Sequence, residues 1–126
     1  MSALSIAHYF PFRRIRIIDQ SISVKAKMAQ IDIVPDKRFH PICHRCRSPS
    51  LKIHSREERI IRDLNFASTR VWLSCQYRKV YCPSCKRILT EELELFIPYQ
   101  RVTKRLACYI HELCKVLTVK EVADHL

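Results

Sequence analysis

Glycine is absent from all 126 residues. Any backbone position that needs a positive φ must therefore be filled by a residue carrying a Cβ, at a cost of order 1 kcal/mol. No uncharged apolar run approaches the roughly 18 residues that a membrane span demands, so no membrane partner is expected. An export signal is missing too: Met1 to Phe12 is apolar, but Arg13 and Arg14 follow that run instead of preceding it, and no small-residue cleavage site appears. Acidic residues are scarce in mid-chain, where residues 37–87 hold thirteen Lys or Arg against three Asp or Glu. The flanks are near balance, with five basic and three acidic residues over 1–36 and five and six over 88–126, so the middle carries ten of the eleven net charges. A field of one sign on so small a unit attracts polyanions, and its natural partner is nucleic-acid phosphate. The length suits one domain, or two small units that each need a staple, and leaves no room for a large catalytic domain.

Seven cysteines, an odd number, in a chain without an export signal argue against a disulfide framework and for metal ligands in a reducing cytoplasm. Four of them form two Cys-x-x-Cys pairs, "CHRC" (Cys43, Cys46) and "CPSC" (Cys82, Cys85), with 35 residues between the pairs. A two-residue gap lets both sulfurs of a tight knuckle reach one ion, and two such pairs close a tetrahedral four-thiolate shell on Zn2+. The separation exceeds the roughly 15 to 20 residues of the commonest ribbon, yet it holds strand and turn signals, as a zinc ribbon requires. Redox use would need one pair to open a helix after a strand, and neither does. A zinc enzyme would need an open coordination position, which a four-cysteine shell does not leave. His44 lies inside the first pair and His40 and His54 flank it, so a histidine in place of one cysteine stays open. The residue after each second cysteine, Arg47 or Lys86, is where a knuckle favours positive φ. Their charges favour thiolate over thiol. Cys75 is expected to pack in a sheet, and Cys108 and Cys114 on a helix.

Periodicity supplies the frame. "FRRIRIID" and "SISVKAKMAQIDIV" alternate as two strands joined near Asp19 to Ser21. "HSREERIIRDL" reads as a strand, "NFAST" as a turn, and "RVWLSCQYRKVY" as a strand ending at metal. In the last, Val71, Leu73, Cys75, Tyr77 and Tyr81 fall on one face, with Trp72, Ser74, Gln76 and Arg78 on the other. Trp72 there is open either to stacking on a base or to burial. "TEELELFIP" forms an acidic bridge closed by Pro98. A helix follows from Thr103 to about Val116 with the stripe Leu106, Ile110, Leu113 and Leu117. A second opens on the capping box Thr118 and Glu121, burying Val119, Val122, Ala123 and Leu126. The expected class is α+β: a small antiparallel zinc-ribbon sheet followed by two helices of an incomplete helix-turn-helix. Its expected parts are N-terminal strands packing on the finger (1–36), the four-cysteine module (37–90), a linker (91–102) and the partial helix-turn-helix (103–126).

The order of these motifs resembles the amino-terminal region of the ISL-three family of insertion-sequence transposases over about residues 40–126. The landmarks are the first Cys-x-x-Cys, His-Ser-Arg, Ile-Arg-Asp-Leu, an Arg-rich hydrophobic strand, the second Cys-x-x-Cys, Arg-x-Thr-x-Arg and Val-Ala-x-x-Leu. The resemblance implies zinc on Cys43, Cys46, Cys82 and Cys85 and binding to the terminal inverted repeats of the element. It also implies that Asp63 belongs to the finger and is no catalytic carboxylate. The family's catalytic Asp-Asp-Glu domain would begin past Leu126, and the helix at Val119 looks like the first of the reading pair. The expectation is thus a truncated, non-enzymatic transposase in the cytoplasm, associated with the nucleoid. Its DNA contacts, mostly to phosphate, fall to Arg45, Arg47, Arg56, Arg59, Arg62, Arg70, Arg78, Lys79, Lys86 and Arg87. The alternative is a protein-docking module that pairs with full-length transposase through Leu106, Ile110 and Leu113.

Overall fold

A computed structural model describes residues 10–97 and 100–126. The expectations on Met1 to Tyr9 and on Pro98 lie outside the described residues. Alternating sequence builds five strands, β1 (Ile15–Ser23), β2 (Met28–Pro35), β3 (Ile53–Phe66), β4 (Thr69–Cys82) and β5 (Arg87–Thr90). Two helices follow, α1 (Lys104–Cys114) and α2 (Val119–His125). The strands form one sheet in the order β1-β2-β4-β3, with β5 also paired to β4. Pairing is antiparallel except between β2 and β4, which run parallel from Met28 opposite Arg70 to Ile33 opposite Cys75. Among the described residues no helix is long and apolar enough to cross a membrane.

The first hairpin turns at Val24–Lys27 rather than at Asp19–Ser21. Lys27 takes φ 52° and donates its amide to the Val24 carbonyl at 3.3 Å. Asp19, Gln20 and Ser21 stay inside β1, where the register shifts between Ile17 and Asp19. An edge strand with one face to water holds such polar residues without turning. β3 and β4 likewise continue through most of "NFAST", and the reversal rests on Ala67 at φ 52°.

Ile31, Ile33, Ile61, Val71, Leu73 and Cys75 form the fully buried centre of the main core, capped by Phe10, Tyr77, Leu93, Leu95 and Phe96. Residues 91–97, expected to be a linker, thus supply part of that core. Along β4 the buried apolar positions are odd from Val71 to Tyr77, then even at Val80 and Cys82. Tyr81, expected on the core face, is exposed for this reason. The two faces of one strand serve two cores, the second made of Cys43, Cys82 and Leu89 with Cys85 against it.

α1 is anchored at its first turn. Thr103 caps it by accepting from the Leu106 amide at 3.2 Å, while its hydroxyl donates to Asp63 Oδ1 at 2.7 Å. Arg105 grips the same wholly buried carboxylate, with Nε at 2.8 Å from Oδ1 and a second bond to Oδ2. The Ile-Arg-Asp-Leu and Arg-x-Thr-x-Arg landmarks are therefore the two halves of one buried cluster. Leu106 is buried, whereas Ile110, Leu113 and Leu117 are half-buried, and the helix stops at Cys114. α2 opens on the full Thr118–Glu121 capping box. It buries only Val122, with Leu126 half-buried; Val119 and Ala123 face solvent, because α2 touches the rest of the structure along one narrow stripe.

Candidate metal centre

Two knuckles of the same construction meet at the end of β4. In the first, the Cys43 carbonyl accepts from the Arg47 amide at 2.9 Å; in the second, the Cys82 carbonyl accepts from the Lys86 amide at 2.8 Å. Each turn also aims an amide at its leading sulfur, Arg45 N to Cys43 Sγ and Cys85 N to Cys82 Sγ, both at 3.4 Å. Arg47 at φ 59° and Lys86 at φ 57° occupy the left-handed region, as expected for the residue closing each knuckle. Lys86→Gly is accordingly expected to be neutral or to raise stability by up to about 1 kcal/mol, whereas Arg87→Gly, one residue on in β5, lowers it by about 0.5–1 kcal/mol. Thermal melts of the two variants check this.

β4 carries Cys82 directly to the site and β5 leaves from it. The first knuckle has no long strand of its own and hangs from residues 90–92: Cys43 bridges Glu91, the Glu92 amide donates to the Ile42 carbonyl at 2.9 Å, and His44 Nδ1 donates to the Thr90 carbonyl at 2.9 Å. That bond engages His44, and the convergent group consists of sulfur atoms alone. His40 and His54 are exposed.

The Sγ atoms of Cys43, Cys46, Cys82 and Cys85 lie within 4.8 Å of one another, with Cys46 to Cys82 at 3.4 Å and Cys43 to Cys85 at 3.9 Å. Sulfurs bound at about 2.3 Å to a tetrahedral ion stand about 3.8 Å apart, so the group has the dimensions of a single-ion site. It does not have those of disulfides, whose sulfurs lie about 2 Å apart, and all seven cysteines are free thiols. A hydrogen bond from the Ser48 side chain, with further ones from the Ser48 backbone and the Cys82 thiol, lowers the Cys46 thiol to about 6. Burial, reinforced by the neighbouring thiols, raises Cys85 to about 12. Uneven thiols of this kind become equivalent ligands once a divalent cation displaces their protons.

Cys75 lies in the main core as expected, its thiol pushed up to about 12 by burial and then by the Glu91 charge. Cys108 and Cys114 do not pack: both are exposed on α1. Brief treatment of the folded, metal-loaded chain with iodoacetamide is expected to modify Cys108 and Cys114 and to leave Cys75 intact, read by peptide mass spectrometry.

The ten basic residues expected at DNA divide by their surroundings. Arg45, Arg56, Arg70, Lys86 and Arg87 are exposed and have no carboxylate partner among the described residues; Arg45, Lys86 and Arg87 stand on or beside the knuckles. Arg47 is exposed but reaches Glu94 at 3.2 Å, and Lys79 lies 3.6 Å from Glu57. Arg59 sits over the Tyr77 ring, and Arg62 over the Trp72 ring. Arg78 is committed to Glu91, with Nε at 2.6 Å from Oε2 and its second nitrogen at 2.7 Å from Oε1. That pair is nearly dry, its side chains 12% and 1% exposed. Glu91 gave no local signal in sequence, since a carboxylate in an acidic run looks solvated; Ser48 sits close enough to Cys46 to have been noticed.

Residues 40–85 match the family described as the zinc-finger of transposase IS204/IS1001/IS1096/IS1165. Over 82 residues the chain is 33% identical to the transposase for insertion sequence element IS1001 of Bordetella parapertussis, covering 65% of this chain and 20% of that protein. The chain thus spans about a fifth of the length of the curated relative it matches. No solved structure matches it.

Proposed function

From the premise that residues 40–85 form the zinc-finger region of an ISL-three-family transposase, we propose that this chain is a zinc-stapled, DNA-binding part of such an enzyme. The observation that carries the reading is the convergence of four sulfurs beside three exposed cations, Arg45, Lys86 and Arg87. Cys43, Cys46, Cys82 and Cys85 would hold Zn2+, a role in which the ion cross-links the knuckles and performs no chemistry on substrate. Metal analysis of the purified chain tests this, with one zinc expected; a different ion or a three-ligand site with bound water overturns it.

In this reading the target is the terminal inverted repeat of the element, met in the cytoplasm at the nucleoid, and contact is mostly with phosphate. The exposed set Arg45, Arg56, Arg70, Lys86 and Arg87 carries it, with Arg47 after release from Glu94. Arg78 is withdrawn, because freeing it strands Glu91. The units 1–36, 37–90, 91–102 and 103–126 belong to the same proposal, with α1 and α2 as the start of a helix-turn-helix. If three to five phosphates are neutralised, affinity for duplex DNA falls roughly 50- to 500-fold between 50 and 200 mM salt. Fluorescence anisotropy with a labelled duplex checks the slope, and a flat response sinks the phosphate reading.

One observation favours a second reading. Val116 and Val119 at the junction of the helices are each 78% exposed, beside the half-buried Leu113 and Leu117. An apolar surface of this kind suits docking to full-length transposase. Pull-down from nuclease-treated extract separates the two, since retention without nucleic acid supports docking.

A further inference from the structure

We propose that the outer face of the sheet carries a second nucleic-acid site, a groove in which an unpaired base of single-stranded DNA stacks on Trp72. The pairing registers assemble it. Gln30 lies opposite Trp72 on β4, which lies opposite Arg62 on β3; one step along, Met28 lies opposite Arg70. Met28, Gln30 and Trp72, with Ile60 and with Ser21 and Ser23 of β1, put an apolar floor, an amide and two hydroxyls around a groove of about 410 Å³, while Arg62 and Arg70 stand beside it through their pairing with Trp72 and Met28. That volume falls in the range of small-ligand sites. Trp72 stands ten residues before Cys82 on the same strand, about 33 Å away at the usual rise, so the groove is separate from the metal centre.

Three observations point to the occupant. Ile60 and Met28 are 53% and 41% exposed, an apolar area on a sheet face that no described residue covers. Arg62 lies 5.4 Å over the Trp72 ring with one terminal nitrogen donating to Asn65 Oδ1 at 2.6 Å and to the Leu126 carbonyl at 3.2 Å, while Trp72 Nε1 and Arg62 Nε are shut off from solvent with no hydrogen-bond partner among the described residues. Burial, and after it repulsion from Arg70, lowers the pKa of Arg62; a bound anion offsets the repulsion. The carboxylates on this face accept hydrogen bonds, Asp32 from the Gln30 amide at 3.3 Å, Glu58 from the Ser74 hydroxyl at 2.5 Å, and Asp19, opposite Asp32, from the Gln20 backbone amide at 2.8 Å. An aromatic ring, the exposed Arg70 guanidinium and polar groups from Gln30, Ser21 and Ser23 are what a nucleotide needs: a surface for the base, charge for the phosphate, and groups for the base edge. A base inside a duplex is covered by its neighbours and cannot lie on the indole, so the ligand is unpaired. The choice of DNA over RNA rests on the transposase reading above.

Trp72 is the only tryptophan in the chain, so its emission reports the groove directly. The full chain, as purified with its metal, is titrated with a short oligothymidylate, with an abasic oligonucleotide of equal length, and with oligouridylate. A labelled duplex is followed in parallel by anisotropy. Oligothymidylate is expected to quench Trp72 saturably and to bind about tenfold tighter than the abasic strand, the worth of one or two stacked bases. Trp72→Leu is expected to erase that tenfold gap and to leave duplex affinity within about twofold, because the substitution removes the indole and leaves in place every cation assigned to duplex phosphate, Arg70 included. Should Trp72→Leu fail to fold, the comparison of oligothymidylate with the abasic strand stands on the unaltered chain. Equal affinity for both strands, or silent emission while the oligonucleotide binds, overturns the base site. Tighter binding of oligouridylate overturns the assignment to DNA. Duplex binding with a steep salt slope but a silent Trp72 removes this inference alone, whereas loss of all three signals removes the proposed function with it.

Discussion

Chelation of the metal is expected to melt the two knuckles and leave the main sheet standing. The second core consists of little more than Cys43, Cys82 and Leu89, with Cys85 against it, far too little apolar surface to hold two turns that each contain a positive-φ residue. Binding of a structural zinc contributes roughly 10 to 16 kcal/mol in small modules, enough to outweigh both the strain and the crowding of four thiols. The core around Ile31, Ile61 and Leu73 is independent of it. Hydrogen exchange therefore separates the two regions: the Arg47 and Lys86 amides, bonded to the Cys43 and Cys82 carbonyls, lose protection, while the β2–β4 amides keep theirs. Cys82→Ser is expected to give the same pattern without a chelator. Unchanged exchange at Arg47 and Lys86 after complete metal removal ends the idea of a metal-dependent finger. Acidification acts in the same direction, since each ligand must shed its proton to bind and falling pH returns it.

Glu91→Ala carries the other large effect. The Arg78 guanidinium would stay where the fold places it, shielded from water and without its carboxylate, which costs about 3–5 kcal/mol. For a chain of this size that lowers Tm by more than about 10 °C. Replacing both partners, Arg78→Met with Glu91→Leu, is expected to recover most of the loss, because the charge and its desolvation disappear together. A Glu91→Ala melt within 1 °C of the unaltered chain shows that Arg78 escapes to solvent, and returns it to the set available for phosphate.

Local signals were legible to the extent that they are local. Cysteine spacing picked out the four sulfurs that converge, and the absence of glycine pointed to Arg47 and Lys86 as the positive-φ positions. Thr103 and the Thr118–Glu121 box marked the helix starts because capping involves residues three apart. The parallel pairing of β2 with β4 left no trace in either strand, since partners some forty positions apart share no pattern that sequence exposes. Glu91 and Glu92 read as solvated in a run of acids, and only the fold shows them buried against Arg78 and Lys104. Tyr81 was misplaced for a related reason. Alternation says which residues share a face, but not that the core changes face partway along a strand.

The parallel seam has a consequence for the order of events during synthesis. The hairpin of β1 and β2 leaves the ribosome first, yet the strand it docks on runs from Thr69 to Cys82. At about 5–20 residues per second, Ile31 and Ile33 wait for several seconds with their apolar sides uncovered. In that interval the nascent hairpin is the stretch most in need of a chaperone, and the emergence of β4 both ends its exposure and brings the last pair of cysteines into reach of the first.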